Sequence, residues 1–319
     1  MNERPGRIVL VTGAGGQVGR ALCGILPGAG WQVRALPRPE LDITDAGAVR
    51  RAVRDVAAVV NLAAYTAVDR AEAEPEAADR VNRVGAGQVA LAAAAAGVPL
   101  IHLSTDFVFG GTVPGEDRRP FRETDPPAPL NVYGASKLAG EGAVLAACPQ
   151  AVILRCAWIF SAHGRNFVRT IRQLGTERGR LRVVADQYGS PTAADDVAAA
   201  ILAVLALPAQ TLPAQTLPAQ TLPARAGIYH FAGVPAASWY DLAVAALAGT
   251  GCRVEPIATK DWPTAARRPD WSVLDSGRFA TVFGLAPPHW CRGLAPVVAA
   301  LADGETGSGR VRAEGEGNG

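Results

Sequence analysis

The feature that most constrains this chain is a cluster of glycines set where a short apolar strand gives way to a helical pattern. Gly13-Ala14-Gly15-Gly16-Gln17-Val18-Gly19 follows Arg7-Ile8-Val9-Leu10-Val11 and leads into an apolar-periodic stretch over 16–26. Glycines at 13, 16 and 19 let the backbone turn tightly and approach a ligand closely. The start of the helix then offers unpaired N–H donors to an anion. A glycine cluster alone says little in a chain with 35 glycines, but its place between strand and helix is the context a dinucleotide-binding turn requires. Gly13, Gly16, Gln17, Val18 and Gly19 are therefore expected to bind a dinucleotide pyrophosphate.

The pattern beyond the turn alternates. Strands are expected over 31–36, 57–62, 98–104 and 151–154. Helices are expected over 45–56 (capped by Thr44), 75–96 as one long Ala-rich helix, and 133–147. Continuous apolar strands separated by helices predict a Rossmann-like α/β fold, a doubly wound parallel sheet covered on both faces. After Arg155 the rhythm loosens, with strands expected over 182–185 and 228–231 and a helix over 238–248. This predicts a dinucleotide-binding domain over 1–155 with later returns near 183–206 and 226–232. A smaller, discontinuous substrate-binding domain would come from 156–182 and 233–302, because ligands of such sheets bind beyond the carboxyl ends of the strands. Leu-Pro-Ala-Gln-Thr occurs three times from 207 to 221 and begins again at Leu222. A proline in every unit excludes a helix, so 207–225 reads as an insertion loop. The Gly/Glu-rich tail over 303–319 reads as disordered.

Charge excludes several partners. With 31 basic and 29 acidic residues the formal net charge is +2, which argues against a nucleic-acid or membrane-surface partner. The first residues lack the apolar core of a signal peptide, and the Ala-rich runs are too broken to span a bilayer. Cys23, Cys148, Cys156, Cys252 and Cys291 show no Cys-x-x-Cys spacing and are odd in number, so they read as free thiols with no disulfide or zinc site. Together these predict a cytoplasmic chain.

The chemistry is expected at Tyr133-Gly134-Ala135-Ser136-Lys137, where positions i and i+4 share one helix face. An ammonium beside a phenol favours the phenolate, and a phenol so tuned can give a proton to a developing alkoxide as hydride reaches carbon. Tyr133 is the expected proton donor. Lys137, one of only two lysines in the chain, would also hold the nicotinamide ribose. Thr105, leaving the strand that ends in Ser104, would meet the substrate carbonyl beside Tyr133, with Ser104 as a structural hydroxyl. No acidic residue follows Leu36 to bind a ribose 2′-hydroxyl. Arg38 stands there instead and would face a 2′-phosphate, so NADPH is expected, with NADH as the alternative. Asp42 and Ile43 would contact the adenine, and Ala63, Ala64 and Tyr65 would line the cofactor.

These motifs resemble the extended short-chain dehydrogenase/reductase superfamily. Further segments narrow the resemblance to the dTDP-4-dehydrorhamnose reductase family: Asn61-Leu-Ala-Ala-Tyr-Thr-Ala-Val-Asp69, Ser104-Thr-Asp-Phe-Val-Phe109, Pro129-Leu-Asn-Val-Tyr-Gly-Ala-Ser-Lys-Leu-Ala-Gly-Glu141, Arg155-Cys-Ala-Trp-Ile-Phe160, Asp186-Gln-Tyr-Gly-Ser-Pro-Thr192, and Arg268-Pro269 with Ser272-Val-Leu-Asp275. The resemblance covers most of the chain, leaving out the repeat and the tail. It implies reduction of the C4 ketone of a dTDP-linked 4-keto-6-deoxysugar, dTDP-4-dehydro-L-rhamnose, to dTDP-L-rhamnose. It also implies that Thr105 and Asp106 touch substrate, that the Trp158 indole forms an apolar wall against the sugar, and that Arg268 meets the diphosphate. Some members dimerise through a magnesium ion held by glutamates. Arg20-Ala21-Leu22-Cys23 carries no carboxylate at the matching place, so no metal and a monomer or weak homodimer are expected. A 4,6-dehydratase needs an acid/base pair after the threonine, and Phe107 cannot transfer a proton. A nucleotide-sugar 4-epimerase, which uses the same dyad, and a non-catalytic NADP-binding regulatory subunit are the alternatives.

Overall fold

A computed structural model describes residues 7–111, 118–206 and 225–313, with only the backbone path for 303–313. The first half builds five strands of a six-stranded sheet, whose sixth strand comes from the second half. Its elements are β1 (Arg7–Thr12), α1 (Gln17–Ile25), β2 (Trp31–Leu36), α2 (Ala46–Ala52), β3 (Ala58–Asn61), α3 (Val68–Ala73), α4 (Pro75–Asp79), α5 (Ala86–Ala96), β4 (Leu100–Thr105), α6 (Val132–Ala147) and β5 (Val152–Cys156). There follow β6 (Ile159–Phe160), α7 (Phe167–Arg178), β7 (Arg180–Val184), β8 (Tyr188–Gly189), β9 (Thr192–Ala193), α8 (Ala194–Ala206) and β10 (Gly227–His230). The chain closes with β11 (Ala237–Ser238), α9 (Trp239–Ala246), β12 (Arg253–Ile257), α10 (Gly277–Phe283) and α11 (Trp290–Ala313).

The sheet order is β10-β5-β4-β3-β1-β2, with every pairing parallel. Strand order reverses between β1 and β3, where a parallel α/β sheet opens its binding crevice. The strands are apolar on both faces because both are covered. Val9 and Val11 pack under α1 and α8, while Leu10 packs with Leu41, Ile43 and Val89 on the opposite side. Three small sheets lie outside the main one: β7 with β12, β6 with β9, and β8 with β11.

Several local expectations change. Asp45, not Thr44, caps α2, its carboxylate accepting from the N–H groups of Gly47 and Ala48. Thr44 instead gives its N–H and hydroxyl to Asp42. The helix expected over 75–96 is interrupted by a π-helical turn over Arg80–Gly85. That turn carries Asn82, which accepts from the Tyr65 N–H and donates to the Tyr65 carbonyl and the Ser136 hydroxyl. The widened turn brings an amide to groups that a regular helix would leave unpaired. The strand expected over 182–185 runs Arg180–Val184 and pairs with β12 rather than with the main sheet. The tail expected to be disordered from 303 enters α11 instead, since its helical backbone continues to Ala313. Extending an established helix adds one hydrogen bond per residue fixed. The repeat over 207–224 and residues 314–319 lie outside the described residues. Among the described residues no helix is long and apolar enough to cross a membrane.

Candidate active site

The carboxyl ends of β1, β3 and β4 and the first turns of α6 meet at one edge of the sheet. Gly13 has φ +63°, and a Cβ there would lie 2.7 Å from the Ala63 nitrogen. A Cβ on Gly19 would lie 2.6 Å from the Ala14 Cα, so any side chain at either position would displace backbone. Gly16 starts α1 without a side-chain cap, and the first turn holds no acidic residue. Its first N–H groups thus have no side-chain acceptor, which suits a diphosphate. Gln17 accepts from the Ser161 hydroxyl at 2.9 Å and so ties the turn to the segment after β6. Val18 is a core residue, so it can meet a cofactor only through its backbone.

At the far end of this edge a cavity of about 210 Å³ is lined by Arg38, Asp42, Thr44, Tyr65, Arg70 and Arg80, among others. Arg38 is exposed there. The Asp42 carboxylate is held below the usual range chiefly by the Thr44 N–H and hydroxyl. The Ile43 side chain is buried against Gly85 and the core of α2 and α5, so it contributes shape rather than a direct contact. The Tyr65 hydroxyl donates to Glu74, and Asn82 grips both polar groups of its backbone. Ala63 and Ala64 are partly exposed beside the glycine turn.

Tyr133 and Lys137 face the end of β4. The side chain of Asn131 caps α6 by accepting from Gly134. A Cβ on Gly134 would collide with the Phe107 carbonyl, which shows how closely α6 meets the exit of β4. The Phe107 ring stands edge-on to Tyr133, with centroids 5.6 Å apart. Burial pushes the Tyr133 phenol up to about 12; its hydrogen bond with Thr105 opposes the rise and the nearby Asp106 carboxylate adds to it. The expectation that Lys137 lowers this phenol is not met, because Lys137 turns its ammonium to the Leu103 carbonyl at 2.7 Å. Burial in turn brings Lys137 down to about 8, while Glu141 pulls the other way.

Thr105 and Asp106 are buried beside Tyr133. Burial raises Asp106 to about 6 against hydrogen bonds from Ser272 and Thr105. Its two oxygens accept from the Thr105 hydroxyl at 3.0 Å and the Ser272 hydroxyl at 2.6 Å. Ser104 donates to Glu141, which also holds Arg155 through both oxygens.

Two further expected site residues have partners within the chain. Trp158 stacks on Trp239 at 3.5 Å and 5°, and a Cβ on Gly189 would fall nearest the Trp158 ring-fusion carbon Cε2. The Trp239 ring covers one face of the indole. Trp158 also sits at φ +45°, an uncommon conformation for a bulky residue. Arg268 points both terminal nitrogens at Asp69, at 3.0 and 2.7 Å, so its fork is matched by a carboxylate.

The sequence reading missed Asn61, His102, Asn82, Glu141, Gly189, Trp239 and Ser272. Asn61, Glu141, Gly189 and Ser272 stand in segments quoted for the resemblance, but the role of each of the seven depends on a residue distant in sequence. Among the described residues no cluster of three or more His, Cys, Asp or Glu side chains is placed to hold a metal.

Comparison with known proteins follows the same lines. The family model described as the RmlD substrate binding domain matches residues 7–302. A dTDP-4-dehydrorhamnose reductase from Mycolicibacterium smegmatis is 42% identical, covering 93% of this chain and 87% of that protein. One from Aggregatibacter actinomycetemcomitans is 38% identical, covering 90% and 96% respectively. The solved structure of a dTDP-4-dehydrorhamnose reductase from Bacillus anthracis in complex with NADP superimposes with a TM-score of 0.82 at 32% identity, covering 92% of this chain and 99% of that one.

Proposed function

Because the chain belongs to the dTDP-4-dehydrorhamnose reductase family, we propose that it reduces the C4 ketone of dTDP-4-dehydro-L-rhamnose, or of a closely related dTDP-4-keto-6-deoxysugar, to the alcohol, giving dTDP-L-rhamnose. NADPH is the cofactor of this reading, with NADH as the alternative. We place the reaction in the cytoplasm, in a monomer or weak homodimer without a metal. The residues present fit a dinucleotide: two glycines admit no Cβ, α1 begins uncapped, and Arg38 stands exposed at the cavity beyond β2. When bound, the nicotinamide supplies hydride.

The observation that carries the reading is the buried Tyr133 phenol set beside the buried Thr105 hydroxyl at the exit of β4, where burial favours the protonated phenol. Reduction needs a proton donor at the ketone oxygen, and a Tyr133 held near 12 keeps its proton until an alkoxide develops. The Thr105 hydroxyl steadies that oxygen next to Tyr133, and Lys137 orients the cofactor while leaning on the Leu103 carbonyl. Gly13, Gly16, Gln17, Val18 and Gly19 hold the diphosphate through backbone. Ala63, Ala64, Tyr65, Asp42 and Ile43 shape the rest of the cofactor groove. Trp158, backed by Trp239 on one face, forms an apolar wall against the sugar. Asp106 acts behind Thr105, and Arg268 with Asp69 borders the nucleotide end.

The test is NADPH oxidation with dTDP-4-dehydro-L-rhamnose generated in situ. Wild type is expected to consume one NADPH per sugar, and Tyr133→Phe to lose turnover by about two orders of magnitude or more while binding NADPH nearly as wild type. Normal turnover in Tyr133→Phe would remove the proton-donor role. Cofactor retained unchanged while the sugar changes configuration would point to an epimerase, and NADPH binding without any turnover to a regulatory subunit.

A further inference from the structure

We propose that His102 is a positioning residue that biases Lys137 toward its neutral form, as the last member of a one-directional hydrogen-bond chain that starts at the Ala63 backbone. The inference rests on the reading of Tyr133 and Lys137 as the reacting pair. The chain crosses three strand ends. The Ala63 N–H approaches the Thr12 hydroxyl at 3.4 Å. Thr12 donates to the Asn61 carbonyl oxygen at 2.6 Å. The Asn61 amide nitrogen meets His102 Nδ1 at 3.0 Å, and His102 Nε2 lies 3.5 Å from Lys137 Nζ. Thr12, Asn61, His102 and Lys137 are each at most 2% exposed, so the partners within the chain fix its polarity.

That polarity determines the tautomer. Because Thr12 donates to the Asn61 oxygen, Asn61 presents its N–H to His102, and Nδ1 must accept. A neutral imidazole then carries its proton on Nε2, pointing at Lys137. Burial and the neighbouring Lys137 hold His102 well below its ordinary range, so it stays neutral. An N–H aimed at Nζ is a donor for a neutral amine and a clash for an ammonium. The Leu103 carbonyl accepts from Nζ in either state and more strongly from the ammonium, so His102 acts against it.

The other charged groups around Lys137 do not replace this effect. Tyr133 and Glu141 lie on its own helix, one turn on either side. Glu141 favours the ammonium, but its carboxylate is shared among Arg155, at 2.9 and 2.7 Å, and Ser104, at 2.6 Å. From β4 come only His102 and the Leu103 carbonyl, and from β5 Arg155 behind Glu141. The chain also begins at Ala63, beside the glycine turn, so the wall of the cofactor groove and the charge of Lys137 share one rigid chain of hydrogen bonds.

The sequence makes the test direct, since Lys137 and Lys260 are the only lysines. Full-length protein carrying ¹⁵N/¹³C-labelled lysine gives two side-chain signals, with exposed Lys260 as the internal reference. His102→Asn keeps an acceptor for Asn61 and removes the group that reaches Nζ. The Lys137 midpoint is expected to rise by about one pH unit in His102→Asn, with Lys260 unmoved. In wild type, histidine ¹⁵N spectra are expected to show His102 protonated on Nε2 and bare on Nδ1. An unchanged Lys137 midpoint in folded His102→Asn, or a wild-type His102 protonated on Nδ1, would overturn the proposal. The tautomer measurement needs no variant, so it decides the matter even if His102→Asn does not fold. Neither readout uses turnover, so failure here is separate from normal turnover in Tyr133→Phe.

Discussion

At Asp106, loss of water outweighs hydrogen bonds from Ser272, Thr105 and the backbone of Asp106 and Phe107, and moves the carboxyl from 3.8 to about 6. Between those values the folded chain holds a proton that the unfolded chain releases. The resulting stabilisation is therefore complete below 3.8 and is lost as pH rises through about 6. Asp106→Asn is expected to remove that slope, so that its melting temperature gains on wild type between about pH 4 and pH 7. Parallel melting curves across that range would show that Asp106 does not titrate there. Trp158 gives a second prediction at this scale. Gly189→Ala drives a methyl into the indole and is expected to raise KM for the sugar several-fold while leaving KM for NADPH unchanged, which steady-state kinetics with each substrate varied would show. Tyr133, Lys137 and Thr105 were legible in the sequence because a four-residue spacing on a helix and a hydroxyl at a strand end are local patterns. His102 was not, since a single histidine in an apolar strand has no signature until Asn61 and Lys137 are brought to its two nitrogens.

Among the elements, α6 carries the most. Its Tyr133, Lys137 and Glu141 lie at successive i+4 positions and join the reacting edge to a buried ion pair. Glu141 and Arg155 are each 2% exposed and 2.7 Å apart. Removing one partner leaves a buried charge uncompensated, so Glu141→Ala is expected to cost about 3–5 kcal/mol, measured by urea unfolding. A loss below about 1 kcal/mol would mean that Arg155 finds other neutralisation. A Cβ on Gly140 would collide with the Asn82 carbonyl, so α6 and the π turn are in backbone contact. The strands of the main sheet were readable because continuous apolar runs have few alternatives at that length. The π turn was not, since one added residue hardly changes the apolar pattern of 75–96 and Asn82's partners lie at Tyr65 and Ser136. Two-residue strands such as β6 and β9 are too short to show a period.

The molecule as a whole joins two kinds of construction. A regular parallel sheet supplies the glycine turn, Thr105 and the floor of the groove, and irregular segments from the second half close over it. Ser272 reaches Asp106, Gln17 holds Ser161, and Asp69 holds Arg268, so the halves meet through polar contacts at the edge where the chemistry is proposed. The fold class followed from the first 155 residues, whose pattern is repetitive. The sugar-facing side depends on contacts such as Trp158 on Trp239, which no spacing encodes. Hydride delivery to the sugar is tested most directly by turnover with NADPH deuterated at the transferred position, followed by NMR of the product. One deuterium at C4 of dTDP-L-rhamnose for each NADP⁺ formed is the expected result. Product without deuterium at C4, or no NADP⁺ formed from this ketone or a related dTDP-4-keto-6-deoxysugar, would contradict reduction at this site.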